Sequence, residues 1–306
     1  DDNGSSAQSR IAARGNSTVN GDIDIETTVG GISLRAEDTD LVSIGHGVNT
    51  TSGSSTRSIT VQSADTLTLT SHDTGQTRIG NGQAANSTIN VTAAGNITLT
   101  VSGSALPQPG SAFIGNFGNF TKPAGGNITV TSTGGSIALR GYEDGALVLI
   151  GNKSGSTSTT GDVHVSALNG ANNASIMLDA LNDGALVQIG NNSESGTIGG
   201  NVTVEAAHLI SVDASGSGSV AKIGNGAPYQ SGLVGGNISG DIVVTSGGDL
   251  DLYAEDSEST AQIGNGDLTL ARAGNVSGDI SLNVTGFTDI NDQGNFDGIA
   301  WIGNVA

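Results

Sequence analysis

The sequence predicts an all-β fold, a parallel β-helix solenoid of about eight coils with three strands each. Three observations predict it: an Ile-Gly dipeptide that recurs in phase, two apolar-x-apolar segments that keep step with it, and 49 glycines, which helices tolerate poorly. Ile-Gly stands at Ile44, Ile79, Ile114, Ile150, Ile189, Ile223, Ile263 and Ile302, at intervals of 35, 35, 36, 39, 34, 40 and 39 residues. Asn follows in seven of the eight copies, as Asn81, Asn116, Asn152, Asn191, Asn225, Asn265 and Asn304, and His46 takes that place in the first. A period of this length is the signature of a stacked repeat.

The first strand of each repeat reads apolar-x-apolar: Ile23/Ile25, Ile59/Val61, Ile89/Val91, Ile128/Val130, Val163/Val165, Val202/Val204, Ile242/Val244 and Ile280/Leu282. The second follows about nine residues later, from Ile32/Leu34 to Leu250/Leu252, and is degraded in the last copy to Phe287 and Ile290. The third is the Ile-Gly element itself, with a small or apolar residue two positions before it, such as Val42, Ala112 or Ala261. Period-two alternation rich in β-branched residues marks a half-buried strand. One such unit cannot hide its apolar face, so copies stack strand on strand and enclose a continuous interior. One coil per repeat is expected, because each strand type occurs once; two shorter coils would need further strands in the Gly- and Ser-rich loops. Eight rungs at ~4.8 Å give a rod of roughly 40 Å.

Between the strands, Gly-Asn-Gly reads as a sharp corner, since both residue types tolerate positive φ. Stacked Asn side chains at these corners also predict an amide ladder. Insertions fall mainly after the third strand, as at Ala227–Gly236, with another at Ser102–Ser111. Such loops protrude, and binding variation concentrates there. Ala7-Gln8-Ser9-Arg10-Ile11 aligns with Gly75-Gln76-Thr77-Arg78-Ile79, which makes Ile11 a ninth, degenerate third strand. Residues 1–306 are thus expected to be a single repetitive segment, an excerpt of a longer array.

Composition narrows the function. Charged residues are only 13%, and the 29 acidic and 10 basic side chains leave a net charge of −19. That disfavours nucleic acid and anionic membrane, which attract basic surfaces. No apolar run of spanning length occurs, and no membrane insertion is expected. With no cysteine there is no disulfide framework and no thiolate metal site.

Gly-Asp-Ile-x-Val, then Gly-x-Ile-x-Leu, then Ala-x-Ile-Gly-Asn-Gly resembles the repeats of large bacterial exoproteins of the filamentous-haemagglutinin type, including two-partner-secreted biofilm adhesins. Ala221–Gly226 and Ala261–Gly266 carry the likeness most clearly. The resemblance implies a right-handed parallel β-helix, an extracellular or cell-surface location, export through an outer-membrane secretion partner, and adhesion or matrix cross-linking. The expected function is a non-catalytic stalk that displays loops to a surface glycan, an exopolysaccharide or a cell receptor.

Parallel β-helices also carry polysaccharide-degrading enzymes, such as tailspike-like depolymerases, which need paired carboxylates or a bound cation on adjacent rungs. Asp249, Asp251 and Asp289 would stack in register and are candidates for Ca²⁺ or for a carboxylate pair, but a solvated acidic face is the favoured reading. His46, His72, His164 and His208 have no ligand spacing. Thr66/Thr68/Thr70 and Thr98/Thr100 raise ice binding as a minor alternative, weakened by Arg, Met, Asp and Ser at the same place on other rungs. No catalytic residue and no cofactor is expected. The outward row of the third strand reads Ser43, Arg78, Phe113, Leu149, Gln188, Lys222, Gln262 and Trp301. Phe113 and Leu149, with Phe117 and Phe120 close by, predict an exposed apolar binding patch, unless an inserted loop folds over them.

Overall fold

The computed structural model describes residues 8–11, 22–46, 57–82, 87–103, 109–118, 123–155, 157–194, 196–226, 236–266, 274–292 and 297–305. Its architecture is a parallel β-solenoid with three long sheets. Sheet one stacks the eight first strands, from Ile23–Glu26 to Ile280–Val284. Sheet two stacks the eight second strands, from Ile32–Ala36 to Thr288–Asp292. Sheet three stacks nine strands, and its first is Gln8–Ile11, the degenerate copy legible at the amino-terminal end. Among the described residues the only helical element is one 3-10 turn, Gly170–Asn172.

Register follows the repeat. Ile128 pairs with Val163, Val163 with Val202, and Val202 with Ile242, so each apolar position lies on its own copy in the next turn. Each repeat therefore makes one turn and contributes one strand to each sheet. The inward pairs Ile59/Val61, Ile89/Val91, Ile97/Leu99 and Ile137/Leu139 are fully buried. Each such side chain contributes about 1.5–3 kcal/mol, opposed by the entropy of ordering the chain.

Six consecutive first strands, Ile59–Ser63 through Ile242–Ser246, bury their inward residues. The strands beyond them, Ile23–Glu26 and Ile280–Val284, leave theirs partly open. The sealed solenoid thus has about six turns, fewer than the eight coils expected. A rung's inner face closes only where a rung lies on both sides of it, so the outermost strands form ladders without enclosing a core.

Two further ladders were not legible as strands. Lys153–Ser154 pairs with Asn192–Ser193, and bridges continue that ladder through Phe117 to Gly82. It forms just after the Asn corner. The other ladder lies just before sheet one: Ala124–Gly125 pairs with Thr159–Thr160, and Thr159, Ile198, Ile238 and Val276 bridge in succession. Ile198 and Ile238 are fully buried. The chain that looks like loop in sequence is therefore partly a second layer.

Candidate functional site

The Ile-Gly-Asn corner is the most repeated feature, and its atoms are occupied within the protein. The backbone N–H of each corner residue donates to the Asn Oδ1 of the next turn: His46 to Asn81 (3.0 Å), Asn152 to Asn191 (3.0 Å), Asn191 to Asn225 (2.9 Å) and Asn265 to Asn304 (2.9 Å). Asn81 to Asn116, Asn116 to Asn152 and Asn225 to Asn265 complete the column. The Nδ2 group of the same Asn reaches across to carbonyls before sheet one. Asn191 Nδ2 donates to Gly161 O at 2.7 Å and to Gly199 O at 2.8 Å, and Asn116, Asn152, Asn225 and Asn265 repeat the pattern. Each of these five Asn therefore fastens the end of its coil to the start of that coil and of the next, and accepts from the corner of the rung before it. This corrects the expected ladder of side-chain amides, because the bonds run from side chain to backbone. An Asn has one acceptor and two donor hydrogens, which is the number these three partners need.

Two constraints require the glycine before the corner residue: positive φ, as expected, at Gly45, Gly80, Gly115, Gly151, Gly190 and Gly224, and the close approach of the next rung. A Cβ at Gly190 would overlap the carbonyl oxygen of Gly224, and the same clash recurs from Gly45 to Gly80, Gly115 to Gly151 and Gly264 to Gly303. At Gly45, Gly190 and Gly224 φ lies between 140° and 148°, so torsion and stacking both exclude a side chain there, while at Gly264 the exclusion comes from stacking on Gly303. A second glycine column precedes sheet one. Gly126, Gly161, Gly200, Gly240 and Gly278 have φ between 109° and 126°, and a Cβ on Gly161 would overlap the Gly126 carbonyl. Beside that column Asp162, Asn201, Asp241 and Asp279 each donate a backbone N–H to the Oδ1 of the preceding rung's Asn or Asp, at 2.8–3.0 Å.

The predicted apolar binding patch is overturned. Phe113 is 4% exposed and Leu149 is fully buried. Ser43, Arg78, Gln188, Lys222 and Gln262 of the same row are buried too, and only Trp301 on the last rung is open, at 44%. The chain after the Asn corner covers this face of sheet three. The Phe117 ring, half-buried in that covering layer, meets Phe113 edge-on with centroids 6.4 Å apart. The Arg78 guanidinium lies 4.8 Å from the Phe117 centroid and 5.9 Å from that of Phe113. Gln188 Nε2 donates to Gly224 O and Gly226 O, and its Oε1 accepts from Asn192 Nδ2 at 3.0 Å. Lys222 Nζ donates to Gly266 O. Phe120 lies outside the described residues.

The outer face of sheet two carries the acidic groups. Asp251 and Asp289 are neighbours in register, as are Asp179 and Asp213. Asp249 precedes its strand, and its Oδ1 accepts from the Phe287 N–H at 2.8 Å. Tyr253 donates to Asp289 Oδ2 at 3.1 Å. Burial, then the charges of Asp249 and Asp289, push the Asp251 carboxyl above its ordinary range. Asp213 rises to about 6, through burial first and then the charges of Glu255 and Asp179. Asp179 is also raised by burial, although Arg140 Nε donates to it at 3.1 Å and opposes the shift. Asp249, Asp251 and Asp289 do not converge on a cation: among the described residues no group of three or more acidic or His side chains is arranged to hold a metal ion. His164 sits half-buried on the outer face of sheet one, between Thr129 and Thr203.

The fold and these columns define the chain as a parallel β-solenoid repeat protein. No protein-family model, curated protein or solved structure matches it.

Proposed function

We propose that the chain is a structural and adhesive stalk segment of a large secreted bacterial surface or biofilm-matrix exoprotein, of the filamentous-haemagglutinin-like, two-partner-secreted kind. In this reading it is extracellular and non-catalytic, its partner is a surface glycan, an exopolysaccharide or a cell receptor, and an outer-membrane protein exports it. The coil is right-handed, as parallel crossovers almost always are.

One observation carries the proposal. The side chains repeated from copy to copy, the corner Asn and the inward apolar pairs such as Ile89/Val91 and Ile128/Val130, are buried or bonded to the protein's own backbone. Repetition here serves cohesion, which is what a stiff spacer needs. What differs between copies and stays open lies on the outer faces of sheets one and two, and the insertions vary too; partner choice belongs to such variable positions. A glycan array combined with a reducing-sugar assay tests the proposal. Binding to glycans or to bacterial surfaces without release of reducing ends is expected, and turnover of a polysaccharide by the purified chain refutes the non-catalytic reading.

The second reading, a polysaccharide-degrading β-helix, has one observation in its favour. Asp213, raised to about 6, stands next to Asp179 on the adjacent rung. A carboxyl that holds its proton up to about pH 6 beside a second carboxyl is the kind of pairing that general acid catalysis uses. If this reading holds, Asp213→Asn abolishes the turnover while leaving binding intact.

A further inference from the structure

We propose that Glu143 is a proton-controlled latch on the corner that leads into the strand Ser111–Ile114. Glu143 lies in the turn between the strands Ile137–Gly141 and Leu147–Ile150, four residues before the latter. The residues at the same distance before their own third strands in other repeats include Glu37, His72 and Asp256, and all three are exposed. Glu143 instead turns inward and is 1% exposed.

Its Oε1 accepts the backbone N–H of Gly110 at 2.6 Å, which ties one coil to the entry of the coil before it. The same entry is held by the Leu147 N–H, which donates to Gly110 O at 3.2 Å. The other carboxylate oxygen, Oε2, is buried with no hydrogen-bond partner. Three charged or titratable groups face the carboxyl: Asp73 and His72 from the turn of an earlier coil, and Asp144 beside it. Asp73 is itself bonded to His72, Oδ2 to Nδ1 at 2.8 Å.

A neutral carboxyl suits this position. It keeps an acceptor for Gly110 and brings no charge into a buried site that already faces two carboxylates. Burial pushes the Glu143 carboxyl above its ordinary value of 4.5, Asp73 and Asp144 add to this, and the Gly110 N–H and His72 oppose it. The folded state therefore binds this proton more tightly than the unfolded chain does. The latch holds fully below 4.5, weakens as pH rises through the raised folded value, and changes no further above it. On ionisation the unpartnered Oε2 draws the side chain toward water, and Gly110 loses its acceptor.

Two NMR measurements test this: titration of the Glu143 side-chain carboxyl, and hydrogen exchange of the Gly110 N–H corrected for the intrinsic rate. Protection of Gly110 is expected to fall about tenfold or more between the protonated and ionised states, while the ladder N–H of Asn152 keeps its protection. In Glu143→Gln, whose Oε1 still accepts, protection stays high and independent of pH. In Glu143→Ala it is low at every pH. A Glu143 titration at or below 4.5, or flat Gly110 protection in the native chain, overturns the proposal.

Discussion

Replacing Asn191 by Ala tests the corner directly. The substitution removes the acceptor of the Asn152 N–H and the donor to Gly161 O and Gly199 O, three bonds of 3.0, 2.7 and 2.8 Å. At about 1 kcal/mol net for each bond, with more where the stranded group stays buried, the cost is about 3 kcal/mol. Because Asn152 is fully buried, solvent does not replace its lost acceptor. Asn304→Ala removes the acceptor of the Asn265 N–H and a single donor bond, to Gly278 O, at an exposed side chain, and should cost about 1–2 kcal/mol. Denaturant unfolding followed by circular dichroism measures both, and hydrogen exchange at Asn152 localises the effect to the rung, with protection expected to drop about a hundredfold. Asn191→Asp sharpens the test. It keeps the acceptor but sets a carboxylate against the carbonyls of Gly161 and Gly199, so it should destabilise at least as much as Ala at neutral pH. If Asn191→Ala lies within about 0.5 kcal/mol of the native chain, or Asn191→Asp keeps native stability, the Asn column is not what fastens the coils.

Three further outcomes follow from the same geometry. Gly161→Ala combines positive φ with overlap on the Gly126 carbonyl and should cost about 3 kcal/mol or prevent folding, whereas Gly30→Ala, at φ 80° with open space around it, should cost only about 1 kcal/mol; thermal melts of the two separate torsion from crowding. Asp213→Asn should stabilise the chain at neutral pH by about 1 kcal/mol, allowing for screening at a part-exposed site. The native chain loses Asp213's share as pH rises from 3.8 through about 6, and melts of both proteins across that window should converge at the acid end. Phe113→Ala should cost about 3 kcal/mol or more, as removal of a packed aromatic does, and unfolding with urea against the native chain measures it; an exposed residue would show almost no change.

Sheet identity, register and the one-coil repeat were all legible in the sequence. Stacking puts each residue on its own copy, so Ile128, Val163, Val202 and Ile242 had to be alike, and the periodic pattern records the ladder directly. The ninth strand at Gln8–Ile11 was legible for the same reason. Four residues of the second layer also left a signal: Thr159, Ile198, Ile238 and Val276 each stand three positions before an Asp or Asn that precedes sheet one.

What the sequence could not decide was which outer faces meet water. Alternation separates the two sides of a strand, but it does not say whether chain from elsewhere lies over the outer one. Arg78, Gln188 and Lys222 read as surface residues, yet the covering layer buries them and supplies their partners, Phe117, Gly226 and Gly266. Burial of a polar side chain depends on acceptors brought from other rungs, and that is a property of the closed coil. The inward turn of Glu143, where Glu37 and Asp256 point outward, was settled by the same means. The sequence alone determined a parallel stack with Ile-Gly-Asn at each corner, because every rung obeys one steric rule. Only the tertiary structure decided that the Asn side chains clasp backbone across coils, that sheet three is covered, and that the core seals over about six turns.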